Sequence, residues 1–128
     1  MKKLTTLFFS ALACLVIASA CRDNDDNGNI SLSFKESDHY YAMNARFSKS
    51  KTRQVEQYID SRIGKKSNMS FINTQIDGNI ALDDQTTFYI KKSPGILRIK
   101  LDKDENSMEA YDRIRSMCEG LKKILAEK

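Results

Sequence analysis

The sequence predicts a single α+β domain of two layers, an antiparallel β-meander of four to six strands with two α-helices packed on one face. Three observations predict it. Short segments bounded by turn residues alternate apolar with polar positions, which is the strand period. Two longer segments repeat their apolar residues every three or four positions, which is the helix period. The segments follow one another as strands, helix, meander, helix. Meander strands are antiparallel neighbours, and each helix has one apolar stripe, so the simplest burial sets both stripes against the same face of the sheet.

The chain starts with Lys2 and Lys3, followed by a mostly apolar run from Leu4 to Ala18. That run falls short of the about 20 apolar residues a membrane span needs. A positive start, a short apolar stretch and the small residues Ala18-Ser19-Ala20 describe an export signal over residues 1–20. Cys21 follows at once. Ser19, Ala20 and Cys21 resemble the lipobox of bacterial lipoproteins, while Ala18 stands where leucine is commonest in that family. The resemblance implies that the Cys21 thiol receives a diacylglycerol, that cleavage precedes Cys21, and that the new amino terminus is acylated. Cys14, after Ala11-Leu12-Ala13, leaves too short an apolar stretch for the same role. The other reading of the same residues is A-x-A cleavage and a soluble secreted protein with a free Cys21. Acyl chains bury about 0.8 kcal/mol per CH₂, and more than one chain makes anchoring stable.

Residues 21–29 read CRDNDDNGN, with no apolar residue after the cysteine, and are expected to be a disordered acidic tether. An acidic run directly after the lipidated cysteine resembles the export signal of surface lipoproteins in Bacteroidota. It implies an outer-membrane protein facing the cell surface; the other leaflet would face the periplasm. Asp23-x-Asp25-x-Asn27-Gly28 also matches the first half of an EF-hand loop. The twelfth position of that loop is Phe34, which offers no carboxylate, so the expectation is a solvated tether and no metal.

Residues 30–128 form the domain. Ile30, Leu32 and Phe34 alternate with polar residues as a strand, and His39 to Phe47 alternates again with Tyr41, Met43, Ala45 and Phe47 on one face. Val55, Ile59 and Ile63, with Tyr58 beside them, make Ser48 to Gly64 an amphipathic helix, capped by Ser48 or Ser50 and stopped at Gly64. Lys49, Lys51 and Arg53 lie in its first turn, the wrong end for cations in the helix dipole. They mark either an anion-binding spot or a solvated face. Phe71 to Ile76 reads as a strand, Asp77-Gly78 as a hairpin turn, and Asn79 to Leu82 as its return. After the turn Asp83-Asp84-Gln85 comes a strand over Thr86 to Lys92. Ser93-Pro94-Gly95 fits a type II turn, and Ile96 to Leu101 closes the hairpin with Leu97, Ile99 and Leu101 inward. Asn106, with Glu109 three residues on, opens the second helix. Its stripe is Tyr111, Ile114, Cys118, Leu121 and Leu125, and Gly120 is expected to allow close contact with the sheet.

Composition narrows the function classes. Removal of Lys2 and Lys3 with the signal lowers the net charge from +4 to about +2, which together with export argues against nucleic acid. With Cys14 removed and Cys21 lipidated, Cys118 has no partner within the chain, and its apolar neighbours make it an inert structural thiol. No sequence pattern calls for a cofactor. His39 stands in a polar stretch without a nucleophile motif, and Asp83-Asp84 and Asp102-x-Asp104-Glu105 fall in turns, so catalysis is not expected. Tyr89, Lys91, Lys92, Arg98 and Lys100 flank one hairpin and form the candidate ligand face, suited to an anionic glycan or an acidic protein patch. The competing reading is a charged edge that blocks sheet-to-sheet aggregation. These features predict a membrane-anchored, non-catalytic binding or accessory lipoprotein of the cell envelope. From Thr52 onward the order helix, meander, helix is similar to the propeptide-type inhibitors of streptopain-like cysteine proteases. That likeness implies protease inhibition as the alternative, on element order alone.

Overall fold

In the computed structural model, which describes residues 30–127, five strands form one antiparallel sheet. They are β1 (Ser31–Glu36), β2 (Tyr40–Arg46), β3 (Ile76–Ala81), β4 (Thr87–Ser93) and β5 (Ile96–Asp102). Their order across the sheet is β1-β2-β5-β4-β3, so the two hairpins meet through β2 and β5. The helices are α1 (Thr52–Ser67) and α2 (Met108–Ala126). This is the predicted α+β architecture.

The core lies between the sheet and the two helices. Met43, Ile90, Leu97, Ile99 and Leu101 project from the sheet, and all are buried. Val55, Ile59 and Ile63 of α1 and Ile114, Met117, Cys118, Leu121 and Leu125 of α2 close over them. None of the helices among the described residues is long and apolar enough to cross a membrane.

Several local expectations are corrected. Gly64 does not stop α1, which runs on to Ser67 and ends where Asn68 takes a left-handed φ of 61°. Asp77-Gly78 is not a turn. It lies inside β3, whose register with β4 is continuous from Ile76↔Lys92 to Ala81↔Thr87. The physical reason is topological. Asp83 N–H donates to Lys66 O, so α1 ends at the β3–β4 turn, whereas β3 starts at the opposite end of the sheet. Residues 68–75 must therefore carry the chain back along α1 and cannot pair as a strand. Two carboxylates one helical turn apart hold this crossover. Asp60 Oδ1 accepts Phe71 N–H at 3.0 Å, and Glu56 Oε1 accepts Asn73 N–H at 3.0 Å.

The turn Pro94-Gly95 is as expected, with Gly95 at φ 76°. A Cβ there would lie 2.9 Å from Phe47 O, and Phe47 N–H donates to Gly95 O at 3.0 Å. The N-cap of α2 is Ser107, one residue later than expected; its hydroxyl accepts Ala110 N–H at 3.1 Å. Asn106 instead clips the start of β4, accepting Thr87 N–H and donating to Thr87 O. Gly120 makes its close contact with α1 and not with the sheet. A Cβ there would overlap the Tyr58 hydroxyl, so the absent side chain is what lets the helices approach.

Candidate functional site

The outer face of the sheet carries no packed element among the described residues, and strand parity decides which side chains reach it. Cross-strand partners share a face, so the register reads out whole rows. One row runs Asp77, Lys91, Arg98, Asn44, Ser33. The next runs Asn79, Tyr89, Lys100, Ala42, Lys35. Arg46 lies beyond the first row and Tyr40 and Asp102 beyond the second. Lys35, Arg46, Lys91, Arg98 and Lys100 thus face Asp77 and Asp102 on one open surface.

Of the five residues predicted for this face, the structure brings Tyr89, Lys91, Arg98 and Lys100 together. Lys92 does not belong. It is 2% exposed and lies beneath the sheet, in line with Phe88 and Ile90. Its ammonium donates to Glu56 Oε2 at 2.6 Å and to Thr74 O, which adds a third tie to the crossover. Burial alone would raise the Glu56 pKa, but the Asn73 amide and the Lys92 ammonium outweigh it, so the carboxyl is held below its usual range. The parity of Phe88 and Ile90 was the signal that would have placed Lys92 inward.

Tyr40, Asn79, Arg46 and Lys35 were missed because their membership depends on strand order, which a sequence does not print. Tyr40 and Tyr89 flank Lys100. The Lys100 ammonium stands 4.9 Å from the centre of the Tyr40 ring, within cation–π range. Tyr89 Oη donates to Asp77 Oδ1 at 2.6 Å, and this bond raises the phenol pKa. A shallow open depression of about 500 Å³ follows, lined by Tyr40, Tyr89, Lys100, Asn79, Asp102 and His39 among others.

Most of the groups considered for catalysis have structural partners. His39 Nδ1 lies 3.0 Å from Asp104 Oδ2, and both side chains are mostly exposed. Asp84 accepts Thr86 N–H and pairs with Arg113 at 2.6 Å; the Thr86 hydroxyl and amide lower its pKa, with Arg113 adding to the effect. Asp102 Oδ1 accepts Asp104 N–H at 2.8 Å. Burial pushes the Cys118 thiol up to about 12, so at neutral pH it is not a nucleophile. Cys21 and the half EF-hand at Asp23 to Gly28 lie outside the described residues.

Comparison with protein-family models, curated proteins and solved structures found no match for this chain.

Proposed function

We propose that this protein is a non-catalytic binding lipoprotein of the bacterial cell envelope. Cys21 is acylated and holds it in the outer membrane, facing the cell surface. The open face of the sheet takes an anionic glycan. One observation carries the ligand reading: Lys91 and Arg98 are direct cross-strand partners. Like charges directly opposite one another destabilise a sheet. A carboxylate or sulfate placed over the pair removes that repulsion, so the free protein already carries a preference for an anion. Asp77, opposite Lys91, offsets one cation of the row. The tyrosines beside Lys100 supply flat apolar surface for a sugar ring, and Asn79 and Asp102 supply polar groups at its edge.

Calorimetry with chondroitin sulfate and polygalacturonate as probes tests the face. Wild type is expected to bind at least one of them, with affinity falling as salt rises. Arg98→Glu with Lys100→Glu should weaken binding at least tenfold. Binding that survives this double reversal rules the face out. The anchor is tested apart from the ligand, by proteinase K digestion of intact cells carrying wild type or Cys21→Ala. Shaving of wild type and soluble release of the variant is the expected pattern; protection of wild type until the outer membrane is broken overturns the surface location.

A further inference from the structure

The two ends of the sheet carry opposite charge, and the tether joins one of them. β1 starts at Ser31, directly after the tether, and Ser31 pairs with Arg46 at the end of β2. The same end holds the β4–β5 turn, the start of α1 and the end of α2, because Lys51 Nζ donates to Ile124 O and Glu127 O. Lys51 is thereby accounted for: it caps the last carbonyls of the antiparallel helix. Among the described residues Lys49 has no such partner, and Arg53 acts only electrostatically, on Glu56. They stand exposed at the positive end of the α1 dipole, where cations are unfavourable. Arg46 and Lys123 add to them, against the carboxylate of Glu127, while the Lys122 ammonium stands aside over the Phe34 ring at 5.8 Å. At the far end, residues 36–39, 83–85 and 102–109 carry eight carboxylates, and Lys66, Lys103 and Arg113 lie among them.

We infer that the tether end of the domain is a membrane-docking surface that seats on the anionic lipid phosphates of the leaflet holding the anchor. The inference rests on the reading of Cys21 as the lipidated residue. Geometry and charge support it together. Eight residues separate Cys21 from Ile30, and covalent geometry limits their reach to at most ~29 Å. The basic end is therefore confined near the headgroups, while the acidic end lies a strand length away, ~23 Å for seven residues. At physiological salt the Debye length is about 8 Å, so the acidic end neither feels the surface nor cancels the attraction. Docked this way, the strands stand upright on the membrane. The depression around Tyr40, Tyr89 and Lys100 is then held at the half of the sheet away from the bilayer. The acidic tether itself, with Asp23, Asp25 and Asp26, is the competing occupant of the basic end.

The mature chain with Cys21→Ala, which carries no lipid, separates the two readings. It is titrated with vesicles of phosphatidylglycerol and phosphatidylethanolamine in equal parts, and with phosphatidylcholine vesicles as the neutral control. Wild-type sequence is expected to bind the anionic vesicles alone. Each Lys or Arg near such a surface strengthens binding about fivefold, so Lys49→Glu/Arg53→Glu/Lys123→Glu should weaken it more than ~100-fold. All three side chains are exposed, and circular dichroism confirms that the variant remains folded. Lys35→Glu/Lys100→Glu, on the open face, should change vesicle binding less than about threefold, since both lie four residues (~13 Å) along their strands from the tether end, further than a Debye length. The inference is overturned if wild type ignores anionic vesicles, or if the face variant loses as much as the end variant. It is also overturned if only Asp23→Asn/Asp25→Asn/Asp26→Asn binds, because the tether then fills the site. Mass spectrometry of the Cys21 peptide from cells reports acylation independently, so a failed anchor and a failed docking surface give different results.

Discussion

Lys91 and Lys92 are neighbours in β4, yet one faces solvent between Asp77 and Arg98 and the other is sealed under the sheet against Glu56. The two faces of one strand thus use the same side chain for opposite purposes. On the inner face a charge is tolerated only because its partners are in place, and there it fixes the path of a connection that has no ladder of its own. On the outer face charge costs little, contributes little to folding, and is free to meet a ligand. Substitutions that move the two lysines' consequences apart, or bring them together, test that division.

The largest separation is expected from Lys92→Met. Removing one partner of a buried ion pair leaves an uncompensated charge and typically costs about 3–5 kcal/mol. Glu56 would then be buried with only the Asn73 amide as donor. In a domain of this size 1 kcal/mol moves the midpoint by about 4–8 °C, so thermal denaturation should fall by ~12 °C or more. Glu56→Gln/Lys92→Met removes both charges but keeps the acceptor for Asn73 N–H, and should recover a large part of the loss. The Glu56 pKa is lowered in the fold, so the pair's contribution is present above the usual carboxylate range and is lost as pH falls through the folded value. The double variant should accordingly lose less stability than wild type on acidification below about pH 4.5. A Lys92→Met variant as stable as wild type would show that the crossover needs no clamp.

Gly120→Ala probes the inner layer by volume. Alanine favours a helix over glycine by about 1 kcal/mol. Here, however, the new methyl would overlap Tyr58 Oη, whose oxygen also accepts from Arg62. Overpacking of a helix contact typically costs about 1–3 kcal/mol, so a net loss near 1–2 kcal/mol is expected in urea unfolding. Tyr58→Ala in the same chain should turn Gly120→Ala from harmful to neutral or stabilising. If it does not, the helices are spaced by something other than this contact.

Much of the inner layer was readable because burial writes a period into the sequence. Tyr41, Met43, Ala45 and Phe47 alternate, Val55, Ile59 and Ile63 recur every four, and each proved buried. The crossover was not readable. Phe71 to Ile76 has strand chemistry, but its amides are taken by Asp60 and Glu56 from a helix, a long-range arrangement with no local signature. Asp77-Gly78 then misled for the same reason, since a turn signal acts only where the chain has a strand to turn back from. On the outer face, four of the five residues expected together are together. The exception is Lys92, whose charge suggested solvent while its parity with Ile90 dictated the core. Tyr40 and Lys35 joined the face through the β2–β5 pairing, which no local pattern encodes.

An effect confined to alkaline pH is expected from the thiol at the centre of the inner layer. Burial raises Cys118 from its ordinary 9.0 to about 12, and burial likewise raises the adjoining Tyr41 phenol. A raised pKa means that the stability it confers is complete below the unfolded value and is lost as pH rises toward the folded one. The fold should therefore weaken between pH 9 and 12 by up to about 1.4 kcal/mol per pH unit for the thiol. Cys118→Ala should flatten part of that slope while lowering stability at pH 7. Mature protein carrying Cys21→Ala should fail to react with Ellman's reagent at pH 8 while folded, and should react once unfolded in urea. Fast labelling of the folded chain would place the thiol at the surface.

The smallest effect on folding is expected where the largest effect on binding is proposed. Lys91→Glu changes a half-buried residue on the open face, and surface changes away from special features usually fall within about 0.5 kcal/mol. Its sign is nonetheless informative. The substitution turns the Lys91/Arg98 repulsion into an attraction and turns the Lys91/Asp77 attraction into a repulsion. The two nearly cancel in isolation, because cross-strand pairs of either kind contribute about 0.2–1 kcal/mol. Lys91→Glu/Asp77→Lys restores an opposite-charge pair there and leaves the introduced carboxylate facing Arg98. The gain at position 91 is set against the lost Tyr89–Asp77 hydrogen bond, so the double variant should stay within about 1 kcal/mol of wild type in urea unfolding. Chondroitin sulfate binding should nevertheless weaken, because the anion no longer relieves a repulsion between positions 91 and 98. If stability rises and glycan binding is unchanged, the basic row is a device against sheet pairing, and the ligand face must be sought elsewhere on the molecule.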